Sequence, residues 1–372
     1  MLFQQLGVSA PISRALLEKG YLHPTPIQKQ AIPAILSGSD VLASAQTGTG
    51  KTASFAIPLL QKLADQKNTQ GVRALVLTPT RELAIQVSEN LNLYGKHLAI
   101  RSVLVYGGVS QVNQVNQLRR GVDVIVATPG RLMDLIQQRL INLSQLQLLV
   151  LDEADRMLDM GFIRDVKKIV ALVPARCQKV FLSATMPDEI QQLVSSMLRN
   201  PIRIDVVPEK ASVQIRQGVY HVSKGDKKAL LKHIIAERKI RNVLVFARTK
   251  RGADKIAKDL TQSGITAEAF HGNKSQTARQ RTLTNFKRNA TQVLVATDIA
   301  ARGIDIIDLP FVVNYEMPDT VETYTHRIGR TGRAGNTGTA LTFCDHEERS
   351  ALKGLNRVAQ GKLEILKHPF AN

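Results

Sequence analysis

The sequence predicts an α/β fold of two tandem domains, each with a mainly parallel sheet flanked by helices. Short apolar runs such as RALVLTP, DVIVATP, NVLVFAR and QVLVATD alternate with longer helix-like segments such as RELAIQVSENL, which is the pattern of repeated βα units. A length of 372 residues suits two domains. A hydrophobic content of 44% is sufficient to form a core in each.

Two segments recur at one spacing, which indicates that a domain has been duplicated. ALVLTPTR at 74–81 resembles VLVFARTK at 243–250, and VIVAT at 124–128 resembles VLVAT at 293–297. In both cases the two copies are 169 residues apart. Any two buried strands look alike, so the identical spacing carries the evidence.

The join between the two halves falls in VVPEKASVQIRQ, which contains a proline, few large apolar residues and mixed charge. We therefore predict a first domain over residues 1–206, a linker over 207–217 and a second domain over 218–372.

The formal net charge of +19 and the pI of about 10.1 imply a polyanionic partner. Nucleic acid is favoured over an anionic membrane surface or a general effect on solubility. The two cysteines, Cys177 and Cys344, lie far apart without metal-ligand spacing, which fits neither a disulfide framework nor a zinc site. No signal pattern or long apolar run occurs, so we expect a soluble cytoplasmic protein.

A phosphate-binding loop is predicted in DVLASAQTGTGKTASFAIPLL, which reads as a strand, a glycine-rich turn and a helix. Glycines let backbone N–H groups curl around phosphate, Lys51 supplies a positive charge, and the Thr52 hydroxyl suits Mg²⁺. Ala45 replaces the first glycine of the strict pattern, so the match is to a relaxed form. The residues expected to contact nucleotide are Gln46, Thr47, Gly48, Thr49, Gly50, Lys51 and Thr52.

The stretch LLVLDEAD at 148–155 places three carboxylates directly after four apolar residues. In one interpretation Asp152 is an N-cap and the other acids occupy the first turn of a helix. In the other, a buried parallel strand ends at the acids, where ligands of such sheets bind. The phosphate loop favours the second: Asp152 helps to hold Mg²⁺, and Glu153 orients and deprotonates the attacking water. Capping remains an additional role.

The second half has no phosphate loop of its own, because Lys51 maps to Tyr220 at the common spacing. It carries HRIGRTGR at 326–333 instead. This segment is either a surface basic cluster or a source of arginine fingers, with Arg330 and Arg333 reaching the γ-phosphate from the second domain.

Together these motifs resemble the DEAD-box family of ATP-dependent RNA helicases over nearly the whole chain. The motifs in order are Phe3, GYLHPTPIQ (20–28), AQTGTGKT (45–52), PTRELA (79–84), Gly107-Gly108, TPGR (128–131), DEAD (152–155), SAT (183–185), Gln276 with Arg279, VATDIAARGID (295–305) and HRIGRTGR (326–333). The resemblance implies tandem RecA-like domains. HGNKSQ, Ala301-Arg302-Gly303 and DRMLDMGF look most like the bacterial RhlE-type branch.

The resemblance also implies residue roles at the ATP site. Gln28 reads the adenine edge while Tyr21 stacks on the ring, and an amide that both donates and accepts selects adenine over guanine. Gly303 and Asp305 touch nucleotide from the second domain. The residues implied to couple hydrolysis to domain closure are Asp155, Ser183, Thr185 and His326.

RNA is implied to bind across both domains through its backbone, without sequence preference. The duplication supports this independently, because Thr80 and Thr249 each precede a helix whose N-terminal amides could meet phosphate. The expected RNA-binding residues are Thr80, Arg81, Gly108, Thr128, Arg131, Thr249, Gln276, Arg279 and Thr297.

The sequence therefore predicts an RNA-dependent ATPase that uses ATP and Mg²⁺ to separate RNA duplexes locally and without processive travel, or to remodel RNA–protein complexes. An ATP-gated RNA clamp that serves as an assembly platform would use the same motifs and stays open as an alternative. A DNA-directed helicase is disfavoured by the motif set, although the charge would allow it.

Overall fold

The computed structural model describes residues 1–45, 48–66, 71–206, 215–301, 304, 306, 309–332, 337–358 and 363–370. The chain forms two compact units, Met1–Glu209 and Lys210–Asn372. The strand that opens the second sheet begins at Ile215 and so includes the last three residues of the predicted linker.

The first unit contains, in its described part, a seven-stranded sheet in which every neighbouring pair is parallel. The strands are Val41–Ser44 (β1), Ala74–Leu77 (β2), Ser102–Val105 (β3), Val124–Ala127 (β4), Leu148–Leu151 (β5), Gln178–Ser183 (β6) and Ile202–Asp205 (β7). Their order across the sheet is β3-β4-β2-β5-β6-β1-β7.

Helices cover both faces of this sheet. After a 3₁₀ turn at Phe3–Leu6 they are Ala10–Glu18 (α1), Pro26–Leu36 (α2), Lys51–Ala64 (α3), Arg81–Tyr94 (α4), Val112–Arg119 (α5), Pro129–Gln137 (α6), Ala154–Asp159 (α7), Ile163–Ala171 (α8) and Asp188–Met197 (α9). Successive strand residues point to opposite faces, so Val76 joins one hydrophobic cluster while Leu75 and Leu77 join the other. Burial on both faces explains why these strands are continuously apolar.

The second unit has a seven-stranded sheet of the same kind within its described residues, again with parallel neighbours. The strands are Ile215–His221 (β8), Val243–Phe246 (β9), Ala267–Phe270 (β10), Val293–Ala296 (β11), Phe311–Asn314 (β12), Gly338–Cys344 (β13) and Leu363–Leu366 (β14). The helices are Lys227–Glu237 (α10), Lys250–Gln262 (α11), Gln276–Lys287 (α12), Asp298–Ala301 (α13), Val321–Ile328 (α14) and Arg349–Val358 (α15).

The strand order of the second sheet, β10-β11-β9-β12-β13-β8-β14, repeats that of the first position by position. The strands paired by the sequence repeat are β2 with β9 and β4 with β11, and each pair occupies the same place in its sheet. The predicted α/β class and the duplication are therefore confirmed. In both units the loops that follow the strands gather at the carboxyl edge of a parallel sheet, which is where such folds bind ligands.

Candidate functional site

The predicted phosphate loop joins β1 to α3 at the carboxyl edge of the first sheet. Gly48 and Gly50 both have φ of 90°, a left-handed conformation that glycine adopts without strain. Gly50 is the N-cap of α3, so the next residues, Lys51 and Thr52, open that helix. Thr49 lies between the glycines and is half-buried. Two further predicted loop positions lie outside the described residues, Gln46 and Thr47.

Lys51 places its amino group in a buried position at the start of α3. The residue is 6% exposed, and its Nζ has no hydrogen-bond partner among the described residues. A buried ammonium is costly unless it is paired. The side chain of Thr52 is half-buried at the start of the same helix. Lys51 thus has the properties of a residue that awaits an anionic ligand.

Gln28 connects α2 to the phosphate loop. Its Oε1 accepts from the Thr25 N–H at 3.0 Å, and its Nε2 donates to the Gly50 carbonyl at 3.1 Å. A Cβ at Gly50 would collide with that Nε2, so only glycine permits this close approach. The amide keeps one further N–H and one further lone pair. It can therefore hold the loop and still meet an adenine edge.

Tyr21 is 41% exposed and follows the C-terminus of α1. Its ring lies 6.2 Å from that of Tyr94, centroid to centroid, at an angle of 50°. The structure thus leaves a considerable part of the proposed adenine-stacking ring accessible.

Asp152 directly follows β5, and its N–H donates to the Leu77 carbonyl at 2.9 Å. The side chain is 2% exposed, and Oδ1 has no hydrogen-bond partner within the described part of the chain. Burial raises the pKa of the Asp152 carboxyl to about 7, and the neighbouring Glu153 adds to this, whereas Lys51 opposes it. Asp152 therefore places a buried carboxyl close enough to Lys51 to interact with it electrostatically, and neither Oδ1 nor the Lys51 Nζ has a hydrogen-bond partner among the described residues.

Glu153 has left-handed backbone geometry, with φ of 52° and ψ of 54°. Such values are uncommon for a residue with a side chain and concentrate at functional sites. Its carboxylate forms an ion pair with Arg156. Arg156 was not identified from the sequence, although its i, i+3 spacing from Glu153 on a short helix was a usable signal. The capping interpretation is wrong for Asp152, because the N-cap is Glu153 and its side chain makes no capping hydrogen bond, but Asp155 does lie in the first turn of α7 as expected.

Asp155 joins the start of α7 to the end of β6. Its Oδ2 accepts from the backbone N–H groups of Ala184 and Thr185, at 3.2 and 2.9 Å, and from the Thr185 hydroxyl at 3.0 Å. Ser183 Oγ donates to the Thr185 carbonyl at 2.6 Å and accepts from the Asp155 N–H at 3.3 Å. Three of the four predicted coupling residues therefore form one partly buried network, in which Asp155 and Ser183 are buried and Thr185 is exposed, whereas His326 lies on α14 of the second unit.

The predicted RNA-binding residues of the first unit follow three adjacent strands, β3, β4 and β2. Thr80 caps α4, its Oγ1 accepting from the Leu83 N–H at 3.3 Å, and Thr128 is the N-cap of α6. Gly108 lies against the guanidinium of Arg81 and has φ of 81°, so a Cβ there would collide with Arg81.

Arg131 belongs to the same group, because its Nη2 donates at 3.2 Å to the carbonyl of Val109, which directly follows Gly108. The structure thus brings these five residues to one edge.

The second unit repeats this placement on β10, β11 and β9. Thr249 is exposed and caps α11, its Oγ1 accepting from the Gly252 N–H at 3.0 Å. Thr297 directly precedes α13. Gln276 opens α12 and is buried, and the Arg279 guanidinium lies 4.8 Å from the centroid of the Phe270 ring. These four residues also follow strand ends, although only Thr249 among them is well exposed.

HRIGRTGR does not form a surface cluster in its described part, so that interpretation is wrong. Arg327 is 3% exposed and pairs with Asp298 through two hydrogen bonds of 2.6 and 2.7 Å. Arg330 is 8% exposed and donates from Nη1 to the Ile304 carbonyl at 2.8 Å. Arg327 thus anchors α14 beside Thr297. Three further predicted site residues lie outside the described residues: Arg333, Gly303 and Asp305.

Comparison with known proteins gives a consistent class. The family models for DEAD/DEAH box helicases and for the helicase conserved C-terminal domain match residues 25–193 and 226–335. The DEAD-box ATP-dependent RNA helicase RhpA of Helicobacter pylori is 39% identical over 371 residues, which is 100% of this chain and 75% of that protein. The DEAD-box ATP-dependent RNA helicase CshA of Geobacillus kaustophilus is 42% identical, over 99% of this chain and 78% of its own.

Among solved structures, S. cerevisiae Dbp5 bound to RNA and ADP BeF3 has a TM-score of 0.85 and 29% identity, covering 98% of this chain and 95% of that one. The predicted tandem RecA-like fold is confirmed by this likeness. The fold and the matches to family models and relatives together place this chain among the helicases. The chain belongs to the DEAD-box family of ATP-dependent RNA helicases. In the described part of the chain no helix combines the length and hydrophobicity that a bilayer crossing requires.

Proposed function

We propose that this protein is an RNA-dependent ATPase that separates short RNA duplexes, with ATP bound by the first unit and hydrolysed with help from the second. One observation carries the proposal: Lys51 Nζ and Asp152 Oδ1 are both buried and both lack a hydrogen-bond partner in the described part of the chain. A buried polar group that is left without a hydrogen bond costs on the order of 1–3 kcal/mol, and more when it is charged. A triphosphate with its cation would satisfy both.

A divalent cation fits these residues. Thr52 and Asp152 would hold Mg²⁺, which when bound neutralises charge on the phosphates. The described residues contain no group of three or more His, Cys, Asp or Glu side chains that could hold a metal by themselves. Mg²⁺ prefers few protein ligands together with waters and substrate phosphates, so a single carboxylate beside a hydroxyl suits it.

Base recognition would fall to Gln28 and Tyr21. The remaining donor and acceptor of the Gln28 amide match the acceptor and donor of the adenine edge. Because the same amide holds Gly50, a bound base would act directly on the phosphate loop. Gly303 and Asp305 would add contacts from the second unit.

Hydrolysis requires a water to be positioned against the γ-phosphate and to lose its proton. Glu153 would accept that proton while the new O–P bond forms and the bond to the ADP oxygen breaks. The ion pair with Arg156 fixes the orientation of this carboxylate. Arg330 and Arg333 would stabilise the developing charge when the two units close on ATP. Asp155, Ser183, Thr185 and His326 would link that closure to the chemistry.

RNA would lie along the carboxyl edges of both sheets. The proposed contacts come from helix-capping threonines and from arginines, groups that meet phosphate and sugar and carry no sequence information. Dbp5, a structural relative, was solved with RNA bound. The excess of positive charge predicts affinity that falls steeply with salt.

Substitution of Glu153 by Gln tests the proposal. The amide preserves the shape of the side chain but cannot act as the base, so we expect ATP and RNA binding to persist while RNA-stimulated turnover falls at least ~100-fold. ATP hydrolysis, ATP affinity and RNA residence time should be measured together. A variant with near-normal turnover would show that Glu153 is not the base, and loss of ATP binding would point to a structural role.

We also propose a branch of the helicase family and a cellular location for this protein. The wording HGNKSQ and DRMLDMGF supports placement in the RhlE-type branch, and a phylogenetic tree with CshA, RhpA and RhlE sequences tests it. A cytoplasmic location is supported by the two cysteines being free and buried. Fractionation of cells that express the protein would check this.

A further inference from the structure

Tyr94, at the C-terminus of α4, packs near the ring of Tyr21, which is proposed to stack on adenine. It is 2% exposed, and its ring is 6.2 Å from that of Tyr21. Burial raises the pKa of the Tyr94 hydroxyl, and the neighbouring Tyr21 adds to the effect, so this phenol stays neutral. Tyr94 belongs to none of the motifs described above.

The backbone of Tyr21 is held from the other side by α1. The Tyr21 N–H donates to the Leu16 carbonyl at 2.9 Å, and Gly20 turns the chain with φ of 82°. The position of the Tyr21 backbone is therefore determined by α1. Among the described residues, the aromatic side chain against which its ring packs is Tyr94, and this contact limits the direction of the ring.

Surface ion pairs strengthen the same junction. Glu18, the last residue of α1, contacts Lys96 Nζ at 2.6 Å and His97 Nε2 at 3.0 Å, both just beyond α4. These contacts lower the pKa of Glu18 to about 2, chiefly through the hydrogen bond from Lys96. Ion pairs thus join the end of α1 to the residues that follow α4, close in sequence to the tyrosine pair.

Tyr94 itself lies on a rigid support. At the next residue, Gly95, an added Cβ would meet the Leu91 carbonyl at 2.9 Å and the Leu60 side chain at 3.2 Å. Leu60 belongs to α3, the helix that begins at the phosphate loop. Close packing of this kind leaves the two helices little freedom to shift.

We propose that Tyr94 is a positioning residue for base recognition, which holds the Tyr21 ring in the orientation that stacks on the adenine of ATP. The inference rests on the proposed role of Tyr21. Tyr94 acts through Tyr21 alone, so it improves binding of a nucleotide that has a base and leaves binding of the bare phosphate chain unchanged.

The full chain with Tyr94→Leu tests this. An aromatic pair contributes more than its buried area, so we expect the KM for ATP to rise roughly 3- to 10-fold with kcat at saturating ATP within about twofold. Competitive inhibition by inorganic tripolyphosphate should be unchanged. Tyr94→Phe keeps the ring and should restore a near-normal KM.

Two further variants test whether a change in the KM for ATP is specific to the junction of Tyr21 and Tyr94. Tyr220→Leu removes a buried tyrosine from a comparable aromatic pair, 6.1 Å from Phe343, in the second unit and should leave the KM for ATP unchanged. Glu18→Gln loosens the junction from its exposed side, and we expect a rise in KM of about twofold.

The double variant of Tyr94→Leu with Tyr21→Ala distinguishes failure of the positioning role of Tyr94 from failure of the proposed role of Tyr21. If Tyr94 acts through Tyr21, Tyr94→Leu has no further effect on the KM for ATP in the Tyr21→Ala background. An equal effect in both backgrounds, or an equal loss of tripolyphosphate binding, would overturn the positioning role while leaving Tyr21 on the base. An unchanged KM in Tyr21→Ala alone would overturn the proposed role of Tyr21 and this inference with it.

Discussion

Gly108 shows how one residue determines the shape of the proposed RNA site. Its φ of 81° would strain a residue with a side chain, and a Cβ there would displace the Arg81 guanidinium. Gly107, its neighbour, has no atom within 4 Å of the place a Cβ would take and has no positive φ. The two adjacent glycines therefore form a natural pair of test and control.

We predict that Gly108→Ala weakens RNA binding about tenfold, because the strained backbone and the displaced Arg81 together cost roughly 1–2 kcal/mol. Gly107→Ala should bind RNA almost as well as the unaltered protein. Fluorescence anisotropy with labelled single-stranded RNA and a non-hydrolysable ATP analogue measures both. Equal behaviour of the two variants would remove Gly108 from the RNA site.

Arg330 is a buried arginine of the second unit and is proposed to stabilise the γ-phosphate during hydrolysis. If it acts as an arginine finger, Arg330→Ala should lower RNA-stimulated hydrolysis by roughly 10³ or more. Arg241→Ala removes an exposed arginine of the same unit and serves as the control. Because Arg330 also donates to the Ile304 carbonyl, the melting temperature must be measured alongside turnover. A folded variant with less than tenfold loss would refute the finger role.

Among the elements, β10 and α12 are joined by a single carboxylate. Glu268 on β10 accepts hydrogen bonds from Thr282 at 2.7 Å, Asn285 at 2.9 Å and Thr291 at 2.5 Å. Burial opposes ionisation, but the hydrogen bonds from these three residues outweigh it and hold the pKa of Glu268 below its ordinary value. Ionised Glu268 therefore stabilises the folded state.

The sign of this shift predicts a dependence on pH. A lowered pKa contributes stability above the unfolded-state value of about 4.3 that is lost as the pH falls through the folded-state value. Glu268→Gln should therefore destabilise the second unit by about 1 kcal/mol at pH 7, and the difference should shrink below pH 4. Denaturant titrations at several pH values measure this. Glu347→Gln, at an exposed glutamate, should show no such trend, and a constant difference for Glu268 would contradict the prediction.

At the scale of the whole molecule, two sheets of one topology carry different chemistry. The first has the predicted phosphate loop. In the second, the residue that opens the helix after β8 is Lys227, which is paired with Glu348 at 2.7 Å, whereas the repeat spacing had put Tyr220, a residue inside β8, at the position of Lys51. Both sheets carry proposed RNA-binding residues at one edge, but there is a single proposed ATP site. This arrangement fits a protein that binds a short RNA strand once in each cycle of ATP hydrolysis.

We predict that strand separation is local. If DNA stacking of about 1.4 kcal/mol per step is used as a proxy, disruption of ~5 base pairs removes roughly 7 kcal/mol of duplex stability. This loss is enough to dissociate a duplex of ~10 pairs but is minor for one of ~40 pairs. Single-cycle displacement of RNA duplexes of about 10, 20 and 40 pairs, with ATP and with a hydrolysis-resistant analogue, tests this. Efficient opening of the longest duplex would contradict the prediction, and no opening of the shortest would favour the clamp.

The sequence by itself determined the α/β class, the duplication and the strand, glycine turn and helix of the predicted phosphate loop, because each depends on signals within a few residues or on their repetition. Buried strands need apolar runs, and a loop that curls around phosphate needs glycine followed by lysine. The threonines before α4 and α11 were likewise placed correctly, since capping is a local interaction.

Only the tertiary structure decided which charges are paired. Arg327 is paired with Asp298, 29 residues away along the chain, and the ring of Tyr94 on α4 packs near the ring of Tyr21, which follows α1. The left-handed backbone at Glu153 also put the N-cap of α7 one residue beyond Asp152, the acid expected to cap it. Such contacts depend on how distant segments pack, and residues far apart in sequence give no local signal of which partner they will meet.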